Sequence, residues 1–144
     1  MPRPGDIDPI ALPTEILPQL MMIDIEPGMR FRFRLIGSAI VALSGAEWTG
    51  RYVDDVIGAQ SFDLMASCFR MAIALKRPVF ARMECRALIH VGTFNSYLVL
   101  PFAENSSAER LLVASCPQDK WLTLFAWRRS IPDNYKLVQL SIVL

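Results

Sequence analysis

The 144-residue sequence has one histidine, His90, and three cysteines, Cys68, Cys85 and Cys116. Serine and cysteine triads need a histidine base held by a third group, and no G-x-S-x-G elbow accompanies His90. The odd, widely spaced cysteines lack C-x-x-C spacing, which argues against a disulfide framework or a zinc site. There is no glycine-rich phosphate loop, no H-E-x-x-H and no EF-hand pattern. No apolar run approaches the ~20 residues of a membrane span, and the opening Met1-Pro2-Arg3-Pro4-Gly5-Asp6 has no h-region. The net charge of only +1 gives no field that favours nucleic acid or an anionic membrane. These absences leave a compact soluble domain in a reducing cytoplasm, with no nucleic-acid or membrane partner.

What the chain has is oil. Hydrophobic residues make up 53% and charged residues 20%, slightly oilier than an average soluble domain. The surplus points to a self-association surface, an apolar cavity, or both. At this length one domain spanning residues 1–144 buries enough surface to fold without a metal or disulfide.

Strand and helix signals alternate in order. Asp8-Pro9 can open a short helix that Pro13 and Pro18 confine. Residues 19–26 read as a strand, stopped at Pro27-Gly28. Residues 29–36 alternate, with Phe31, Phe33 and Leu35 on one face and Arg30, Arg32 and Arg34 on the other. A two-residue Pro-Gly link makes these strands an antiparallel pair. Gly37 breaks the second, Ser38 caps a short helix over 39–44, and Gly45 ends it. A turn through 47–52 leads to a helical piece near 53–57. A longer helix over 62–76, capped by Ser61 and stopped by Pro78, carries two apolar stripes. One contains Phe62, Met65, Ala66, Phe69 and Ile73, the other Leu64, Cys68, Met71 and Leu75. Strands are predicted over 79–89, 94–102 and 110–116, the last two joined by a hairpin loop at 103–107. In the tail, 121–127 reads as either strand or helix and 135–144 as a strand. The sum is an α+β fold, a five-stranded antiparallel sheet covered on one face, with short helices inserted after strand two.

Several segments resemble a PAS-like bacterial family. They are Asp6-Ile7-Asp8-Pro9, Leu17-Pro18, Asp24, the strand Phe31-x-Phe33-Arg34-Leu35-Ile36-Gly37, Leu43-Ser44-Gly45 and Thr49-Gly50-Arg51. The run Tyr97-Leu98-Val99-Leu100-Pro101-Phe102 is similar to that family's "L-L-L-P-L" strand, and Phe33 stands where the family carries tyrosine. The resemblance spans about residues 5–115, giving a PAS-like core of about 6–116 and a C-terminal extension, 117–144, that matches nothing. It implies a sensory or protein-interaction module of signal transduction, one of a class that binds small molecules, carries haem or flavin, or dimerises.

No cofactor is expected. His90 lies beside a strand, whereas PAS haem ligands come from the helical side, so it reads as a strand-edge histidine. The flavin-adduct signature N-C-R-F-L-Q is absent, since Cys68-Phe69-Arg70 shares only C-F-R, and the three cysteines read as small hydrophobes. Asp54 and Asp55 are adjacent, so their side chains diverge rather than share a metal. Arg82 and Arg86 would form a basic outer patch with the arginines of the second strand if the two strands adjoin. Arg34 stands where the family keeps an arginine, and is expected to anchor a buried Asp24 or a ligand carboxylate. Trp48, Tyr52, Phe69, Phe80 and Tyr97 are, with Arg34, the candidate ligand pocket between sheet and helices; the same aromatics would otherwise form a packed core. The expected function is a non-catalytic sensory or interaction module, a homodimer engaging an unknown signalling protein. The alternatives are a PAS domain binding a small apolar ligand in a cavity, and a small enzyme on a curved-sheet cone. The last is disfavoured because such folds place a long helix layer before the sheet.

Overall fold

The computed structural model describes residue 3 and residues 12–87, 90–103, 107–117 and 138–143. A 3-10 turn, Leu17–Gln19, leads into the hairpin of β1 (Leu20–Glu26) and β2 (Arg30–Ile36). Three helices follow: α1 (Ser38–Ser44), α2 (Val53–Val56) and α3 (Ala59–Leu75). The chain then returns through β3 (Val79–Ala87), β4 (His90–Phe102) and β5 (Arg110–Pro117). A last strand, β6 (Val138–Val143), comes from the tail. The sheet order is β2-β1-β5-β4-β3-β6, antiparallel throughout except that β6 runs parallel to β3. The expected five-stranded antiparallel sheet with helices after strand two is therefore present, and β6 extends it. The helix expected at Asp8-Pro9 and the segment 121–127 lie outside the described residues.

Period two sorts the strand residues into two clusters. Ile23, Phe31, Phe33, Val79, Ala81, Val99, Leu111 and Val113 face the helices and pack with Met65, Ala66, Cys68, Phe69 and Ala72 of α3. The alternate residues Leu20, Leu98, Leu100, Phe102, Leu112 and Ala114 form a second buried cluster with Ile16, and Leu12 and Phe80 pack against it. The central strands are thus buried on both faces, not one as expected. Their runs, Tyr97-Leu98-Val99-Leu100 and Leu111-Leu112-Val113-Ala114, are near-continuous apolar sequence, the pattern of a strand covered on both sides. Pro101 is tolerated inside β4 because it lies past the end of β3, whose pairing with β4 stops at Val79↔Val99.

The two α3 stripes merge into one core. Cys68 and Met71 of the second stripe join Phe69 and Met65 of the first, while Leu75 is left 46% exposed. The helix starts earlier than expected, at Ala59, with Gly58 rather than Ser61 at its N-cap. It ends at Lys76, which adopts the left-handed conformation (φ 53°). Gly45 ends α1 as expected, at φ 72° with its N–H donating to the Val41 carbonyl.

Two local features depart from the simple reading of the first hairpin. Its loop has three residues, Pro27 to Met29, because Glu26 pairs with Arg30, and Met29 is left-handed with φ 58°. In β2 the register slips: Met22 pairs with Leu35 but Ile23 with Phe33, leaving Arg34 as the extra residue of a β-bulge. The bulge reverses the alternation. Leu35, expected inside with Phe31 and Phe33, is 50% exposed, and Ile36 is buried instead.

Candidate functional site

The six residues expected to share a pocket divide among three places. Phe69 is fully buried on the helix side, where its ring meets Phe31 edge-on at 5.1 Å between centroids. Trp48, half-buried in the turn after α1, stacks on Phe33 at 5.8 Å with 29° between the planes. Tyr97 packs against the same cluster from β4. These three therefore line one core, the space between sheet and helices.

Phe80 does not join them. Val79 and Ala81 face the helices, so Phe80 lies on the opposite face with Leu98 and Leu100. Tyr52 does not join them either. It forms an isolated bridge with Arg32 at the β2 edge, and its hydroxyl donates to Glu26 Oε2 at 2.6 Å. That hydrogen bond holds the phenol proton and raises its pKa. Arg34, the extra residue of the bulge, is the third exception. It reaches Asp24, as expected, but at 3.4 Å and with its side chain 53% exposed.

Around Asp24 the structure assembles a charged network that the sequence only half announced. Asp24 sits in register between Arg32 on β2 and Arg110 on β5. Arg110 Nε donates to Asp24 Oδ1 at 2.9 Å, and Arg32 lies 3.9 Å from Oδ2. Arg110 is therefore the closer and more buried partner than Arg34. Arg32 Nε pairs with Glu26 Oε1 at 2.7 Å. Arg30 lies 3.6 Å over the Tyr52 ring and contacts Asp54 at 3.4 Å and Asp55 at 3.3 Å. The adjacent aspartates of α2 thus grip one arginine. The basic patch expected from adjoining strands does not form, because β2 and β3 are separated by β1, β5 and β4. Arg110 was missed because its partner is 86 residues away; only the β1–β5 register brings them together.

Cys68 does not fit the role of a cofactor ligand. Cys68 is buried on α3, and burial pushes its thiol pKa up, so it is a protonated core group rather than a nucleophile. His90 is the first residue of β4, paired with Ala87. Among the described residues no three His, Cys, Asp or Glu side chains converge as a metal set, and no helix is long and apolar enough to cross a membrane.

No curated protein matches the chain. Among solved structures it is similar to a variant of RsLOV, with a TM-score of 0.52 and 11% identity, covering 78% of this chain and 70% of that one. At that identity the likeness shows the fold alone. The family model described as PAS domain matches residues 1–115, which take in the hairpin, the three helices and the return through β5. On that match and that topology, the chain belongs to the PAS domain family.

Proposed function

We propose that the chain is a non-catalytic sensory or protein-interaction module, acting as a homodimer in the cytoplasm and engaging a signalling protein. The observation that carries the reading is the disposition of its reactive groups. The arginines, carboxylates and Tyr52 of the β1–β2–β5 end pair with one another at the surface. The helix side of the sheet is filled by apolar rings and branched chains. Chemistry needs a poised acid, base or nucleophile in a cleft, and among the described residues the helix-side core holds none. The homodimer reading rests on apolar sequence in the tail, including Trp121, Leu122, Leu124, Phe125 and Trp127.

A second reading, a PAS domain with a small apolar ligand, draws support from the half-buried Trp48 stacked at the margin of the helix-side core. Native mass spectrometry of the purified full chain tests both. Two 16.2 kDa chains with no added mass, and no Soret or flavin absorbance after haem and flavin supplementation, are the expected results. A bound small molecule would favour the second reading. A Soret band lost in His90→Ala would overturn the absence of a cofactor.

A further inference from the structure

We propose that two copies of this chain pair edge to edge through β6, antiparallel across a two-fold axis, so that their sheets become one. The inference rests on the homodimer reading above and assigns its interface.

The sheet has two edges, and they are built differently. At the β2 edge both backbone groups of Phe33, at the middle of the strand, are already engaged. Phe33 N–H donates to the Arg51 carbonyl at 2.9 Å, and Gly50 N–H donates to the Phe33 carbonyl at 2.6 Å. The bulge at Arg34 and the three arginines of β2 further blunt that edge. Bulges and charges of this kind are how sheet edges are kept from pairing with other chains. Among the described residues the β6 edge shows none of these devices. Its sequence, Val138-Gln139-Leu140-Ser141-Ile142-Val143, contains no charge, proline or glycine. One side of β6 pairs with β3 from Val79↔Val138 to Glu84↔Val143. Among the described residues nothing pairs with its other side. Such an edge presents a row of N–H and C=O groups that a strand satisfies.

The same asymmetry names the occupant. Head-to-tail stacking would need β6 of one copy to meet β2 of the next, and the bonds at Phe33, the bridge to Tyr52 and the bulge at Arg34 obstruct that edge. A second β6 is the edge in this molecule that matches it. Pairing two of them closes the assembly at a dimer instead of propagating a fibre. The symmetry also limits the register. Directly opposed residues in an antiparallel pair share a sheet face, and the two-fold keeps every residue on its own face. Opposed residues must therefore have the same parity, so the axis passes Leu140 or Ser141, either one facing its own counterpart.

Gln139 and Ser141 share a face, and both registers set one of them against the other or against itself. The full chain carrying Gln139→Glu and Ser141→Glu should dissociate at least tenfold more readily than wild type in sedimentation equilibrium, since like charges across an interface are costly, with an unchanged circular dichroism spectrum. Mixing it with the Gln139→Lys, Ser141→Lys variant should restore a mixed dimer, which damage to the fold could not do. A wild-type dimer whose glutamate variant associates equally well overturns the β6 interface and leaves the homodimer reading standing. Dissociation without rescue by the lysine variant also overturns the interface. A monomeric wild type overturns both.

Discussion

Replacing Gly37 with alanine isolates one steric contact on which the start of the helical layer depends. Gly37 links β2 to α1 with φ −66° and ψ 150°, angles open to any residue, so alanine meets no backbone penalty there. The obstacle is space. A Cβ on Gly37 would stand 2.2 Å from the Pro18 carbonyl oxygen, 2.4 Å from its carbon and 2.8 Å from the Leu17 oxygen. All three are backbone atoms, so no side chain can swing aside. Ordinary contact requires the 3-10 turn and the α1 start to separate by about an ångström. That motion stretches the Gly37 N–H bond to the Leu20 carbonyl, now 2.7 Å. Overpacking typically costs about 1–3 kcal/mol, and an immovable neighbour places Gly37→Ala near about 3 kcal/mol. Gly58→Ala is the control: its φ is −56° and nothing lies within 4 Å of the added carbon. As a cap change it should cost about 0.5–1 kcal/mol. Urea unfolding followed by circular dichroism reads both, with the Gly37 midpoint falling by roughly 1 M or more at the m-values usual for small proteins. Equal midpoints for the two variants would refute the steric argument.

Other substitutions test the network, the helix end and the buried thiol. Arg110→Ala should destabilise by about 1–2 kcal/mol and Arg34→Ala by about 0–1 kcal/mol, because Arg110 is the closer, less exposed partner of Asp24; the reverse order in denaturant midpoints would contradict this. Lys76→Gly should raise stability by about 0.5–1 kcal/mol, since glycine tolerates the left-handed C-cap that lysine adopts, and a lowered melting temperature would count against it. Burial raises the Cys68 pKa in the folded chain, whereas the unfolded thiol ionises near pH ~8.5. Above that pH the unfolded state sheds a proton that the folded state keeps, so stability falls as pH rises. The stability gap between wild type and Cys68→Ala should therefore narrow from about pH 8 to 10; a constant gap would exclude the linkage.

The sheet was readable because its strands carry period two and are bounded by Gly, Pro and polar loops. Asp24 opposite an arginine was readable for the same reason. The bulge was not. Arg30-Phe31-Arg32-Phe33-Arg34-Leu35 alternates without a flaw, and nothing local reports that Arg34 is skipped by its partner strand. The misplacement of Leu35 follows from that one slip; Arg34 was already on the outer face by alternation, and its place in the pocket came from the family resemblance. Phe80 was misassigned for a different reason. The strand alternates on through Arg82, Glu84 and Arg86, opposite Ala81, and that period already sets Phe80 on their face; counting its ring among the pocket aromatics ignored it. Arg110 and Tyr52 depended on long-range register, which a single chain of letters does not carry.

Two-sided burial also changes the meaning of the apolar excess. A sheet covered on one face would leave Leu98, Leu100, Phe102, Leu112 and Leu20 without a place, and their sequence would argue for a partner. They are buried within the chain, beneath a cluster that includes Ile16. Cys68 and Met71 likewise belong to the single helix-side core rather than to a second surface. The core residues therefore no longer require an association surface. What still argues for one lies after Pro117: the outer edge of β6, which nothing pairs with among the described residues, and the tryptophans and leucines in the sequence of 121–127. Self-association in this chain is a question about its tail, separable by mutation from the packing that holds the PAS core together.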